Sequence, residues 1–196
     1  MDKLSFKQYR TIDLAIMALI LFAFEMITAT AAIKWFPGEL YTLSPTVTML
    51  CIVMMRWGGF AALHAVVGGA AFCIASGASP QQFVMYCFGN CLALLAMLFF
   101  RTHGKGKVRG NTLLTMAFTV LAYAGAQLGR WLLGLLFGGS LDSVVIFFTT
   151  DSLSLLFAIV IVLISRRLDG LFEDQREYLV RTEDERARAR NKSYYE

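Results

Sequence analysis

Apolar residues fall into six runs separated by short polar or glycine-rich breaks, at about 11–36, 43–55, 57–77, 82–100, 112–138 and 143–165. A helix that crosses a bilayer needs about 20 apolar residues, with a range of about 17–25. The first, third, fourth, fifth and sixth runs meet this. The second is short and carries Pro45 near its start. At about 1.5 Å per residue it covers only about 20 Å. It either crosses steeply or is partly non-helical and shielded by its neighbours. The pattern predicts an all-α, polytopic membrane protein with six transmembrane helices over residues 1–165. Beyond residue 165 the character changes. Leu168, Leu171, Phe172 and Leu179 recur at roughly helical spacing among dense charge. Glu177–Arg181 and Asp184–Arg188 stand at the favourable i,i+4 spacing. This predicts a charged, amphipathic cytoplasmic helix within 166–196, either solvated or lying on the headgroups.

Composition points the same way. Of the 196 residues, 57% are apolar and 16% charged, against about 45–50% and about 25% in soluble domains. The mean hydropathy is +0.60. One water-soluble core of this size could not hide so much apolar surface, and disorder is excluded by the same values. The net charge of +4 resides entirely in residues 1–165, because the tail holds eight groups of each sign. A basic pI therefore reflects loops beside membrane spans, and no nucleic-acid partner is expected.

Orientation follows from where the basic residues fall. With six crossings, Lys3, Lys7 and Arg10, then Arg56, then Arg101, Lys105, Lys107 and Arg109, then Arg166 and Arg167 all share one side. The other side has only Lys34, Glu39 and Asp142. This is a positive-inside pattern that makes both termini cytoplasmic. Five crossings would split the basic clusters, which supports counting the short second run as a span. Cys51, Cys73, Cys87 and Cys91 lie within apolar runs, where free cysteine behaves as a small hydrophobe. The first run is too long for a signal peptide, and no A-x-A site follows it.

Ionisable residues inside a membrane are expensive and are functional candidates by default. Here they are Glu25, His64, Arg130 and Asp151, joined by the amides Asn90 and Gln127. Counting from the non-cytoplasmic ends of their spans places Asn90, Arg130 and Asp151 at one level, about 12 Å down. Glu25 falls at about 16 Å, and His64 lies nearer the cytoplasmic side. Tyr123, Gln127 and Arg130 form one stripe of the fifth span, Tyr86 and Asn90 are i,i+4 on the fourth, and Thr150 aligns with Ser154 beside Asp151 on the sixth. Two readings are open. Arg130 and Asp151 either pair simply to join two helices, or they belong to a half-buried small-molecule cavity open to the outside. Gln127 and Asn90 add polar capacity beyond an ion pair and favour the cavity. Glu25 either caps that cavity or bonds a neighbouring helix. His64 reads as a packing histidine. Ala61, Ala65 and Gly69, Gly125 and Gly129, and Gly134 and Gly138 form small-residue ladders for close helix contact.

Residues 11–167 resemble the substrate-binding S component of energy-coupling factor (ECF) transporters, the prokaryotic vitamin importers. The likeness rests on size, six spans, the loop Pro37-Gly38-Glu39-Leu40-Tyr41, the stretch from Ser44-Pro45 to Arg56-Trp57-Gly58-Gly59, Tyr86 to Asn90, and the placement of Arg130 and Asp151. The resemblance implies a cell-membrane protein that captures a small water-soluble vitamin or related micronutrient at its outer face. It implies a site built by spans four to six and the loop after span one. Candidate substrate-binding residues are then Glu25, Tyr41, Tyr86, Asn90, Tyr123, Gln127, Arg130, Asp151 and Ser154. It further implies a transmembrane coupling subunit and two cytosolic ATPases as partners, and no enzymatic activity of the chain itself. The Met1-Asp2-Lys3 start lacks the Met-x-His of metal-importing members, and no cofactor or metal is expected. An arginine at pocket depth favours a carboxylate or phosphate on the substrate, unless Asp151 neutralises that arginine or itself meets a ligand amine.

The competing reading is a non-catalytic membrane scaffold like the MreD-type rod-shape protein, of similar size and span count. A scaffold has no need for Asn90, Arg130 and Asp151 at one depth. An intramembrane enzyme would need its acid and base within hydrogen-bond reach, and His64 is placed too far from the others. No Walker A, H-E-x-x-H or G-x-S-x-G motif is present.

Overall fold

The computed structural model describes residues 5–37 and 42–193, and among these the chain is helical with no strand. Helix α1 (Phe6–Trp35) opens on a capping box, in which Ser5 Oγ accepts from the Gln8 amide and Gln8 Oε1 accepts from the Ser5 amide. It buries one stripe, Leu14, Met17, Leu21, Glu25 and Ala29. Ile16, Leu19, Phe24 and Ile27 on its other faces are exposed. The same inversion recurs at Leu63 and Ile74, at Leu128 and Leu132, and at Leu156 and Val160. An apolar exterior of this extent suits lipid rather than water.

The short second apolar run is a helix, α2 (Thr46–Trp57), and it lies at the centre of the molecule. All its residues except Met49 and Trp57 are buried, against α1, α3, α7 and α9. A helix that is apolar all round belongs inside a bundle. Gly58 then adopts φ 62, open to glycine without steric cost, and the 3-10 turn Gly58–Phe60 reverses the chain into α3 (Ala61–Ser76). The two helices run side by side, so that Gly68 presses on the Thr46 side chain.

Helix α4 (Pro80–Gly89) starts on a second capping box, Ser79 with Gln82. It continues as a 3-10 stretch, Asn90–Met97, and then α5 (Leu98–His103). The basic loop contains a short helix, α6 (Lys105–Gly110). Helix α7 (Thr112–Leu136) is capped by Asn111, whose Oδ1 accepts from the amides of Leu113 and Leu114. Helices α8 (Ser143–Thr150) and α9 (Ser152–Ser165) meet at a 43° bend at Asp151. The sixth apolar run is therefore broken at Asp151, and the fourth is one helical stretch that tightens to 3-10 geometry over Asn90–Met97.

Four stretches are long and apolar enough to cross a membrane, namely Phe6–Trp35, Thr46–Ser76, Pro80–His103 and Thr112–Leu136, or five with the bent α8–α9 pair. Thr46–Ser76 is the hairpin just described. The glycine ladders pack within the chain. A Cβ on Gly69 would stand 2.6 Å from the Tyr86 carbonyl oxygen, and one on Gly125 2.6 Å from that of Leu92. Gly129 lies against the backbone of Gly89. Gly138 differs from its expected role, because it ends the helix at φ 87 with nothing packed on it.

The tail departs from a continuous amphipathic helix. Residues 166–174 are turns, and Gly170 at φ 70 breaks the path before α10 (Gln175–Ser193). Phe172 is fully buried against Phe118, and Gln175 is fully buried beside Tyr9. Arg181 pairs with Asp169, Glu173 and Glu185 rather than with Glu177.

Candidate functional site

At the end of the bundle opposite the tail, six helices converge on a cleft of about 140 Å³. Its floor is polar and buried: Glu25 from α1, Thr46 from α2, Asn90 where α4 gives way to the 3-10 stretch, Gln127 and Arg130 from α7, and Asp151 from the α8–α9 break. Its mouth is formed by Phe72, Tyr86, Phe147 and Thr150, all half-buried.

The floor is one hydrogen-bonded network. Arg130 Nε donates to Asn90 Oδ1 at 2.7 Å, and Arg130 Nη1 reaches Asp151 Oδ2 at 2.9 Å. Gln127 Nε2 donates to the same Asp151 oxygen at 2.5 Å. The other oxygen, Oδ1, accepts from Ser154 Oγ and from Thr42 Oγ1. Ser154 Oγ accepts in turn from the Ser44 amide at 2.8 Å. Ser44 Oγ and Thr46 Oγ1 donate to Glu25 Oε2 at 2.8 and 2.7 Å. The chain of contacts thus runs from α4 through α7 and α9 to α2 and α1. Glu25 Oε1, in contrast, is buried with no partner among the described residues.

Local structure explains why these groups face one another. Gly89 and Gly129 let the backbones of α4 and α7 touch, which carries Asn90 and Arg130 to hydrogen-bond distance. Asp151 sits at the break between α8 and α9, a position where polar groups of spanning helices are freed to face a cavity. Tyr86 lies under the Arg130 guanidinium at 4.8 Å from ring centroid to Cζ, and its ring also packs on Phe72 at 4.6 Å.

Of the residues expected from sequence, Glu25, Tyr86, Asn90, Gln127, Arg130 and Asp151 all line this cleft. Ser154 stands behind Asp151 as a support. Tyr123, on the same stripe of α7, donates to the Phe148 carbonyl at 2.7 Å and is not in the cleft lining, so it supports α8. Tyr41 lies outside the described residues. His64 lies 3.2 Å by Nε2 from the Leu14 carbonyl and is not in the cleft lining. The sequence reading passed over Thr42, Thr46, Phe72 and Phe147. The alternation of Thr42, Ser44, Thr46 and Thr48 ahead of the buried α2 was the available signal for the first two. Phe72 and Phe147 carry no signal that separates them from lipid-facing aromatics. Among the described residues no group of three or more His, Cys, Asp or Glu is placed to hold a metal ion.

A closed polar floor under an aromatic mouth can bind and orient a small solute. In comparisons with protein-family models, curated proteins and solved structures, none matches this chain.

Proposed function

We propose that this protein is the membrane-embedded, substrate-binding subunit of an importer of the energy-coupling factor type. It crosses the cell membrane of a prokaryote six times, with both termini in the cytoplasm. It captures a small water-soluble vitamin or related micronutrient from the outer face, and it works with a transmembrane coupling subunit and two cytosolic ATPases. The chain binds and does not catalyse.

One observation carries this reading. The costly polar groups of four separate helical regions, Glu25, Asn90, Arg130 and Asp151, converge on one cleft at the end of the bundle opposite the tail. A plain interhelical ion pair needs only two of them. The basic residues of the first-helix start, the Gly58 turn, the α5–α6 loop and the tail gather at the other end, where Arg56 meets Asp13 and Lys105 meets Asp174. That separation fits an inside rich in Lys and Arg and a cleft facing out.

Native mass spectrometry of the detergent-purified chain tests the proposal, with Phe72→Ala and Arg130→Ala beside it. A small bound mass in the wild type that is lost in both variants is the expected result. An empty wild-type spectrum, together with co-purification of cell-wall machinery, would overturn the proposal in favour of the scaffold.

A further inference from the structure

The Arg130 charge is matched. Asp151 lies 2.9 Å away, and Asn90 and Gln127 take up further donors and acceptors around the pair. The Glu25 carboxyl has no cationic partner among the described residues. Its partners are two hydroxyls, both on Oε2, while Oε1 is buried without any donor. Among the described residues of the cleft lining, the Asp, Glu, Lys, Arg and His residues are Glu25, Asp151 and Arg130, one carboxyl group more than there are cations.

A buried carboxylate oxygen without a donor is expensive, and a cation or an N–H group supplies what it lacks. We infer that the cleft takes a ligand with a positively charged, donor-bearing nitrogen head group, such as an amidinium or a protonated amino-heterocycle, seated on Glu25 Oε1. This rests on the reading of the cleft as a solute site and names the chemistry of that solute. Of the two alternatives open from sequence, an acid group on Arg130 or a nitrogen group met by a carboxylate, it takes the second, because the structure gives that arginine a partner of its own.

Size narrows the class further. A void of about 150 Å³ holds one benzene ring, so the cleft of about 140 Å³ holds a head group of about one ring. The half-buried side chains of Phe72 and Phe147 suit a flat group, while the Tyr86 ring is already packed on Arg130 and Phe72. Aromatic faces favour cations over anions, which adds to the same selection.

Three probes of one shape and different charge test the inference on the purified full chain in detergent: benzamidinium, benzamide and benzoate. Thermal shift and calorimetric titration read the binding. Benzamidinium is expected to raise the melting temperature of the wild type, with benzamide and benzoate weaker by about tenfold or more. Glu25→Gln keeps the shape and hydroxyl contacts but removes the charge, so it is expected to erase the preference. Benzoate binding in place of benzamidinium, equal binding of benzamidinium and benzamide, or no binding of benzamidinium would each overturn the inference. The wild-type series stands by itself if Glu25→Gln fails to fold. A neutral or anionic solute found by native mass spectrometry would overturn this inference while leaving the importer-subunit reading intact.

Discussion

Arg130 Nη1 lies 2.9 Å from Asp151 Oδ2, and both residues are all but sealed from solvent. The pair joins α7 to the break between α8 and α9. The acceptor for Arg130 Nε, Asn90, stands where α4 tightens into a 3-10 helix. Asp151 and Asn90 therefore sit where helical regularity fails, while the third partner, Gln127, lies within α7. Such interruptions inside a helix often mark functional positions. The polar network and the two irregularities form one feature.

Removing one member of this pair should cost more than removing both. Arg130→Met leaves the Asp151 carboxylate buried with only Gln127 and hydroxyl donors, and breaking a buried pair in this way costs about 3–5 kcal/mol. Asp151→Leu leaves the arginine stranded at a similar cost. The double variant Arg130→Met/Asp151→Leu should lose much less than the sum of the two. Unfolding in mixed micelles measures all three, and strict additivity would show that the pair is not coupled.

The crossing of α4 and α7 should tolerate no side chain at its centre. A Cβ on Gly89 would stand 2.7 Å from the Arg130 backbone nitrogen. Gly89→Ala should therefore push α7 away, lower stability by about 1–3 kcal/mol as overpacking does, and weaken ligand binding by moving Arg130 off Asn90. Gly59→Ala is the control, because nothing lies within 4 Å of that position. Its melting temperature should match the wild type. A Gly89→Ala protein with unchanged stability and binding would refute the close crossing.

Helix existence was legible in the sequence because lipid imposes long apolar runs, and lipid depth aligned Asn90, Arg130 and Asp151 by simple counting. The break at Asp151 and the tightening at Asn90 were not legible. Asn90 and Asp151 read as interior residues of regular spans, because each irregularity is set by tertiary hydrogen bonds rather than by proline or glycine at that position. The shielding of α2 was legible in part. Its shortness marked it as unusual, while its central position depends on the turn at Gly58 and on contacts from four helices. The division of charge within the cleft was legible only in part. The Arg130–Asp151 pair was one of two readings left open by the sequence, and the structure shows that the two residues pair within the cleft lining, while Glu25 looks like one candidate among several until Ser44 and Thr46 are seen to engage one of its oxygens.

The tail should be held by two kinds of contact that respond differently to salt. Phe172 fills a fully buried site beside Phe118, and Arg56 reaches into the same region. Arg56 pairs with Asp13 at 2.7 Å and donates to the carbonyls of Gly170 and Leu171. Contacts this buried are only weakly screened. Farther out, Lys105 meets Asp174 at 2.6 Å and Arg109 meets Glu173 at 2.6 Å, while Arg181 also joins Glu173. Apart from the buried Glu173, these groups are partly exposed, and such pairs contribute little once salt screens them. Hydrogen exchange at low and at about 1 M salt, where the Debye length falls to about 3 Å, separates the two sets. Amides of α10 should lose protection at high salt, and those of 170–172 should keep it. Phe172→Ala should release both segments at either salt, with a cost of about 3–5 kcal/mol. Salt that exposes residues 170–172 as readily as α10 would show that the ion pairs, and not the buried anchor, hold the tail in place.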